Sequence, residues 1–203
     1  MRRRGRGEYL YRCTYLRWVA PHLLISEGDV GGYVLLPGDP GRAERIAGFL
    51  ENPRLVSRNR EFVVITGGYR GIRVSAVSTG IGSPSTAIAL EELARCGAKV
   101  FIRVGTCGAL RRGIPIGALV VPYAAVRLDG VTKRYVAPEY PAVAHPAVFS
   151  ALLRAAEEEG LSPVTGIVVS DDRFYVDREE LLAWARLNAV AVEMEASTVM
   201  VLA

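Results

Sequence analysis

Short runs of β-branched and apolar residues alternate with segments of helical periodicity from Tyr33 onward, and this alternation constrains the fold more than any other feature. Such an alternation sets strands side by side and packs helices on the faces of the sheet, so it predicts an α/β protein. The expected architecture is a three-layer α/β/α sandwich around a mixed central sheet. The predicted strands are 33–37, 62–66, 72–78, 100–104, 118–122 and 164–170.

Helix start and stop residues lie between several of these strands. Ser83 is expected to cap one helix, with Pro84 in its first turn and Gly97 ending it. Asp177 and Glu180 have the spacing of a capping box, which predicts another helix from there to about residue 188. The other predicted helices span 40–50 and 145–159, and the proline-rich segment 129–146 is expected to be a long loop.

Positive charge is concentrated at the start of the chain. The formal net charge is +4, but residues 1–17 alone carry +5, so the remainder sums to −1. A nucleic-acid-binding fold needs basic residues spread over a structured face, so only the arm could bind nucleic acid. We expect residues 1–21 to be a flexible basic extension and residues 22–203 to be the folded domain.

Cysteine and histidine usage bounds the chemistry. The three cysteines are widely spaced with no CxxC pair, which favours neither a disulfide framework nor a zinc site and fits a reducing cytoplasm. His22 and His145 are isolated, which argues against metal ligation. The longest apolar uncharged run, 113–126, contains two prolines and is too short to span a bilayer, so no membrane partner is expected.

Two arginines next to glycines are candidate anion ligands. Arg42 lies in the first turn of a predicted helix that starts at Pro40, just after a strand and Gly38. Backbone N–H groups and a helix N-terminus favour an anion at such a place. Arg103 lies inside an apolar strand that ends in the turn Gly105–Gly108. A buried arginine needs a partner, so Arg103 either pairs with a carboxylate or faces an anion in a cleft. The two arginines together favour one shared oxyanion ligand.

The segment VEMEAS at 192–197 is the candidate sugar site. Glu193 and Glu195 are expected on one side of an extended run, with Met194 between them. The carboxylates could be solvated, or could accept hydrogen bonds from a vicinal diol, which we favour.

These motifs together resemble the nucleoside phosphorylases of the uridine phosphorylase and hexameric purine nucleoside phosphorylase group. The resemblance rests on PGDP with Arg42, NREF around Arg60, STGIGSPSTAIALEEL, RVGTCGA, VRLDG, SDDRFY and VEMEAS, in family order from about His22 to the last residue. It implies a pentosyltransferase that converts a ribonucleoside and inorganic phosphate into free base and ribose 1-phosphate, with no cofactor. The segments 77–93 and 124–144 are nearest to the uridine phosphorylases.

The resemblance also implies roles for individual residues. Arg42, Arg103 and Glu195 match the catalytic positions of the family, and Arg60 matches an arginine that a neighbouring subunit donates. His22 matches a histidine that reaches the 5′-hydroxyl across the same interface, which implies dimers and, by the family pattern, a hexamer of three dimers. The matched phosphate site comprises Gly38, Arg42, Arg60, Arg103 and Thr106, and the matched nucleoside site comprises His22, Phe174, Glu193, Met194 and Glu195.

The chain departs from the family pattern at the base and at its end. Uridine phosphorylases read uracil with a Gln and an Arg two residues apart, where this chain has Arg178 and Glu180. Cys107 stands where the purine enzymes also have cysteine, so uridine and purine nucleosides both stay open. The chain stops on an apolar helix, so the family's last strand and helix are expected to be absent. A hydrolytic nucleosidase and a non-catalytic nucleoside-binding protein are the alternatives.

Overall fold

Residues 18–203 are described by a computed structural model, and the expectations for residues 1–17 of the basic arm, Cys13 included, lie outside these residues. Strands and helices alternate as the sequence predicts, so the α/β class is confirmed. The strands are β1 Tyr33–Leu36, β2 Glu51–Asn59, β3 Phe62–Tyr69, β4 Ile72–Val77, β5 Val100–Arg103, β6 Gly108–Ala109, β7 Val120–Arg127, β8 Ala142–Val143, β9 Val164–Ser170 and β10 Ala189–Glu193. The helices are α1 Pro40–Ala47, α2 Ser83–Arg95, α3 Thr132–Tyr135, α4 Pro146–Glu158, α5 Arg178–Arg186 and α6 Ala196–Leu202.

Hydrogen bonding divides the strands into two five-stranded sheets, in the orders β2-β3-β4-β1-β5 and β6-β10-β9-β7-β8. In the first sheet β1 runs parallel to β4 and β5, while β2 and β3 extend it as an antiparallel hairpin. In the second sheet β7, β9 and β10 are parallel, with short antiparallel strands at both edges. Both sheets are mixed, whereas the sequence predicted one mixed central sheet. The parallel strands lie at one end of the first sheet, with β5 at its edge, and in the middle of the second.

The main core lies between α2 and the first sheet and includes the segment that precedes β1. Leu23, Val34, Leu36 and Phe62 are fully or almost fully buried there. Ala20 belongs to the same core and donates its backbone N–H to the carbonyl of Ile25 at 2.7 Å. Packed structure therefore begins on the arm side of the predicted boundary at residue 21.

Three local predictions differ from the structure. Gly82 rather than Ser83 precedes the first turn of α2, because the Ser83 hydroxyl donates to the Met194 carbonyl at 3.2 Å. Asp177 precedes α5 without a side-chain cap, and Glu180 pairs with Arg173 instead of forming the capping box. The predicted loop 129–146 contains α3 and β8.

Strand β2 was not expected from the sequence. Its segment ENPRLVSRN contains a proline and few apolar residues, and most of its side chains are exposed. The strand lies at the edge of the first sheet, where one side needs no partner strand. Because few of its side chains are buried, its sequence lacks the alternation of apolar and polar residues that predicts a strand. No helix within residues 18–203 is long and apolar enough to cross a membrane.

Candidate active site

The candidate site lies where the parallel strands of both sheets end. Strands β5, β9 and β10 end at Arg103, Ser170 and Glu193, respectively. Strands β1 and β4 are followed by the turns that contain Gly38 and Gly80. Because carboxyl ends of parallel strands share one edge, residues that are far apart in sequence meet there.

Two glycine turns approach each other closely at this edge. The N–H of Gly80 donates to the carbonyl of Gly38 at 3.0 Å, and a Cβ on Gly38 would lie 3.0 Å from the Gly80 carbonyl oxygen. Gly80 has φ +71°, and a Cβ there would lie 2.7 Å from the side chain of Glu61. Glycine at both positions lets the backbones of the two turns approach within hydrogen-bonding distance.

Arg103 lies between two carboxylates. Its Nε donates to Glu193 Oε2 at 3.2 Å, and its Nη2 donates to Glu195 Oε2. The side chains of Arg103, Glu193 and Glu195 are 16%, 7% and 5% exposed. Charges shielded from water to this extent are stable only when they are paired. The third nitrogen, Nη1, is buried and has no hydrogen-bond partner among the described residues.

Glu195 is held on both carboxylate oxygens. Its Oε1 accepts the backbone N–H of Gly82 at 2.6 Å, and its Oε2 accepts from Arg103. Gly82 has φ +90°, a conformation that residues other than glycine rarely adopt. A carboxylate oxygen has two lone pairs, so each can still accept one hydrogen bond from a ligand hydroxyl.

Glu193 holds the surrounding backbone in place. Its Oε2 accepts the N–H groups of Glu195 and Ala196, both at 2.8 Å, as well as Arg103 Nε, and its Oε1 accepts the Ser170 hydroxyl. The prediction of one extended run through both glutamates is wrong, because β10 ends at Glu193 and Glu195 bends into α6 with φ −140° and ψ −14°. Acceptors are favoured at that helix start.

Replacing Glu193 by alanine is therefore expected to destabilise the fold by about 3–5 kcal/mol, because Arg103 and several buried donors lose their acceptor. Urea unfolding followed by circular dichroism measures the change. Glu44→Ala is the matched control, since Glu44 forms an exposed pair with Arg58 and its loss should cost under about 1 kcal/mol. Equal losses in the two variants would contradict the assignment.

A buried network continues from Glu193 into the segment after β7. The Ser170 hydroxyl accepts the N–H of Ser197 at 2.9 Å, and the Ser197 hydroxyl donates to Asp129 at 2.7 Å. Asp129 also accepts the backbone N–H and the hydroxyl of Thr132, at 2.6 and 2.8 Å. Ser170, Ser197, Asp129 and Thr132 are completely buried, so this network fixes the segment after β7 relative to the candidate site.

Arg42 and the turn after β5 complete the group around Arg103. Arg42 reaches from α1 and donates to the carbonyl of Val104 at 3.3 Å, next to Arg103. A Cβ on Gly105 would lie 2.9 Å from Arg103 Nη2, so a larger residue there would push against the guanidinium. Thr106 follows in the same turn and is exposed.

Cys107 is not an activated nucleophile. Partial shielding from water raises the pKa of its thiol, the negative charge of Glu193 raises it further, and Arg103 lowers it. The thiolate is therefore less available than that of a free cysteine, which argues against Cys107 as the nucleophile.

Two of the predicted site residues form a separate group. Arg60 lies exposed in the β2–β3 turn with φ +53°, and the neighbouring Asn59 donates its side-chain amide to the His22 carbonyl at 2.7 Å. Neither Arg60 nor His22 makes a hydrogen bond or ion pair to Arg103 within residues 18–203.

Phe174 lies in the loop after β9 and is 73% exposed, packed edge-on against Tyr175 with ring centroids 5.1 Å apart. This loop starts at Asp171, whose N–H donates to the Glu193 carbonyl at 3.0 Å. Arg173 pairs with Glu180 across the loop, which lowers the pKa of that carboxyl. The loop is thus attached to the candidate site at one end and to α5 at the other.

Sequence reasoning missed Gly82 and Ser170 as partners of the two glutamates. Gly82 contacts Glu195 across 113 positions, and Ser170 contacts Glu193 across 23. The available signals were the turn Gly80–Gly82 after β4 and the position of Ser170 at a strand end, but neither specifies a partner.

Comparison with known proteins places this arrangement in a family. Residues 33–203 match the family model described as "Phosphorylase superfamily". The chain is 45% identical over 184 residues to the guanosine phosphorylase of Halorubrum lacusprofundi, a match that covers 90% of this chain and 76% of that relative. It is 51% identical over 155 residues to the uridine phosphorylase of Thermococcus kodakarensis, covering 76% of this chain and 56% of that relative.

The fold comparison agrees. The crystal structure of uridine phosphorylase from Vibrio fischeri superposes with a TM-score of 0.88 at 36% sequence identity. The match covers 93% of this chain and 80% of the Vibrio chain.

Proposed function

The chain belongs to the phosphorylase superfamily, and on that premise we propose that it is a nucleoside phosphorylase, which cleaves a ribonucleoside with inorganic phosphate. Relatives named uridine phosphorylase and guanosine phosphorylase, at 51% and 45% identity, support this assignment. Phosphate is the co-substrate, and the reaction needs no cofactor.

Arg103 carries the proposal. Two of its nitrogens are held by Glu193 and Glu195, while Nη1 is buried and has no hydrogen-bond partner in the described part of the chain. A buried guanidinium nitrogen without an acceptor is costly, and an oxyanion supplies the missing acceptor. Arg42 lies alongside, on the carbonyl of Val104. The site therefore suits a phosphate held beside a carboxylate that can bind a sugar.

The proposed reaction follows from that placement. A phosphate oxygen forms a bond to C1′ of the nucleoside while the C1′–N bond to the base breaks. The electron pair of that bond leaves with the base, which gains the proton that hydrogen phosphate loses. The sugar passes through an oxocarbenium-like state, whose positive charge the bound phosphate stabilises. Arg42, Arg103, Gly38 and Thr106 orient the phosphate, so catalysis rests on positioning and electrostatics.

Glu195 is the proposed ligand of the ribose 2′- and 3′-hydroxyls. Its carboxylate is fixed by Gly82 and Arg103 and keeps one free lone pair on each oxygen. Met194 packs beside the sugar, and Phe174 stacks on the base. Glu193 supports both Arg103 and Glu195, and its contacts favour this supporting role over direct binding of the nucleoside.

Phosphate dependence tests the proposed function. Uridine, inosine, guanosine, adenosine and 5′-methylthioadenosine are each incubated with the protein, with and without phosphate. We expect base release from at least one nucleoside only when phosphate is present. Release at the same rate without phosphate would identify a hydrolytic nucleosidase, and binding without release would identify a non-catalytic protein. The panel also identifies the base.

The active site is proposed to be shared between subunits of a dimer, with a hexamer of three dimers as the full assembly. His22 is bound to Glu92, nine residues along α2 from Ser83, which contacts Met194. Nine helical residues span about 13 Å. His22 therefore fits better as a ligand of a neighbouring subunit's site, and Arg60, which makes no hydrogen bond or ion pair to Arg103 within residues 18–203, is proposed to act there with it.

Mixing two inactive variants tests this sharing. Arg103→Gln and Arg60→Gln should each be inactive, but refolding them together should restore about a quarter of wild-type activity, because half of the dimers are mixed and carry one intact site. The measurement is phosphate-dependent base release by the mixture. Mixing Arg103→Gln with Arg103→Lys is the control and should restore nothing. No restoration in the first mixture would mean that Arg60 acts within its own subunit.

A further inference from the structure

Glu92 is a buried carboxylate that the proposed reaction does not use. It lies on α2, is 6% exposed, and has no arginine or lysine partner among the described residues. Its carboxylate accepts the backbone N–H of His22 at 3.2 Å on both oxygens, the N–H of Leu23 at 2.8 Å, and His22 Nδ1 at 2.7 Å. A single side chain thus holds both the backbone and the ring of His22.

The contact determines the tautomer of His22. A carboxylate only accepts hydrogen bonds, so Nδ1 must carry a proton, and in the neutral ring Nε2 is then an acceptor. Nε2 has no hydrogen-bond partner within residues 18–203, and the side chain is 39% exposed. The ring thus offers one lone pair towards its open side.

Two further contacts fix the ring. Phe62 packs edge-on against it, with centroids 6.4 Å apart and planes at 73°. Asn59 holds the His22 carbonyl at 2.7 Å. The N–H, the carbonyl and the ring of His22 are therefore each held by a contact. Holding the backbone in place would not by itself require the contacts to the ring.

We propose that Glu92 is a positioning residue that fixes the tautomer and direction of His22 so that Nε2 accepts the 5′-hydroxyl of the nucleoside. This inference rests on the proposed function and on the proposed sharing of His22 between subunits. An amide side chain could bind the backbone N–H of Leu23 equally well. Only a carboxylate can also hold Nδ1–H without offering a competing donor.

A substrate lacking the 5′-hydroxyl separates this role from a structural one. The experiment compares kcat/KM for uridine and 5′-deoxyuridine, or for guanosine and 5′-deoxyguanosine, whichever base is released faster. Wild type should prefer the 5′-hydroxyl substrate. In Glu92→Gln that preference should fall about tenfold, because the hydroxyl substrate loses an oriented acceptor, whereas the 5′-deoxy substrate should be turned over nearly as before.

Further variants identify the route of the effect. His22→Ala should remove the preference, and adding Glu92→Gln to it should change nothing more. Glu92→Asp keeps the charge but withdraws the carboxylate from Nδ1, so it should also lower the preference. It replaces Glu92→Gln in the experiment if that variant does not fold. Glu91→Gln is the control, because Glu91 contacts Arg95 and Tyr135 and should leave the preference intact.

The outcomes are distinct. The proposal would be overturned if the preference for the 5′-hydroxyl substrate were unchanged in the Glu92 variants, whether or not kcat/KM fell equally for both substrates. Glu92 would then have only a structural role. A preference that survives His22→Ala would also overturn it. Absence of phosphate-dependent base release by the wild-type protein from every nucleoside would instead refute the proposed function.

Discussion

Arg103→Gln is expected to reduce kcat/KM for phosphorolysis by about a hundred- to a thousandfold, the loss typical of removing one stabilising donor from an active site. The variant removes the unpartnered Nη1 that is proposed to bind phosphate, and it releases Glu195 from its cation. Steady-state rates with phosphate and nucleoside varied separately measure the loss. The KM for phosphate should rise more than the KM for the nucleoside.

Stability must be separated from catalysis in this variant. Glu193 and Glu195 are both shielded, so losing their cation should also destabilise the fold by about 3–5 kcal/mol. Arg103→Lys keeps the positive charge but lacks the planar fork, so it should be more stable than Arg103→Gln and still lose at least about a hundredfold in kcat/KM. Arg45→Gln, at an exposed pair with Asp39, is the control. A folded Arg103→Lys with normal turnover would contradict the role of the fork.

Glu195→Gln is expected to lower kcat/KM about a hundredfold, because the amide replaces an acceptor with a donor where Arg103 and the sugar hydroxyls all donate. The side-chain shape is unchanged, and Oε1 can still accept the N–H of Gly82. Arg103 loses one of its two carboxylate partners but keeps Glu193, so the variant should fold with a lower free energy of unfolding than the wild type. Assays with ribonucleosides and 2′-deoxyribonucleosides measure the effect.

The substrate comparison makes this second prediction specific. A 2′-deoxyribonucleoside lacks one of the two hydroxyls that Glu195 is proposed to accept, so the Glu195→Gln penalty should be several-fold smaller with that substrate. Glu44→Gln, at an exposed pair, should affect neither substrate. An equal penalty on both substrates would remove Glu195 from the sugar site.

The sequence predicted the elements that form the site because their signals are local. The strand at 100–104 is apolar on either side of Arg103, and glycine turns follow it, so a charged residue at a strand end was visible. The sequence left open whether Arg103 pairs with a carboxylate or faces an anion. The structure gives it carboxylate partners on two nitrogens and, among the described residues, no partner on Nη1.

Long-range partners were beyond the sequence. The contact of Glu92 with His22 spans 70 positions and that of Gly82 with Glu195 spans 113, and no local pattern links such residues. The bend at Glu195 was missed for a related reason. The N–H groups at the start of α6 are accepted by the side chain of Glu193, which lies at the end of β10. Glu195, the residue just before the helix, makes no side-chain cap of its own.

Arg103 is proposed to hold phosphate against the sugar. Phosphorus-31 NMR during turnover tests it most directly, because it follows inorganic phosphate and any sugar phosphate in the same sample. We expect one ribose 1-phosphate to appear for each base released by the wild-type protein, and no measurable consumption of phosphate by Arg103→Gln. Base release without loss of phosphate, or normal phosphate consumption by Arg103→Gln, would contradict it.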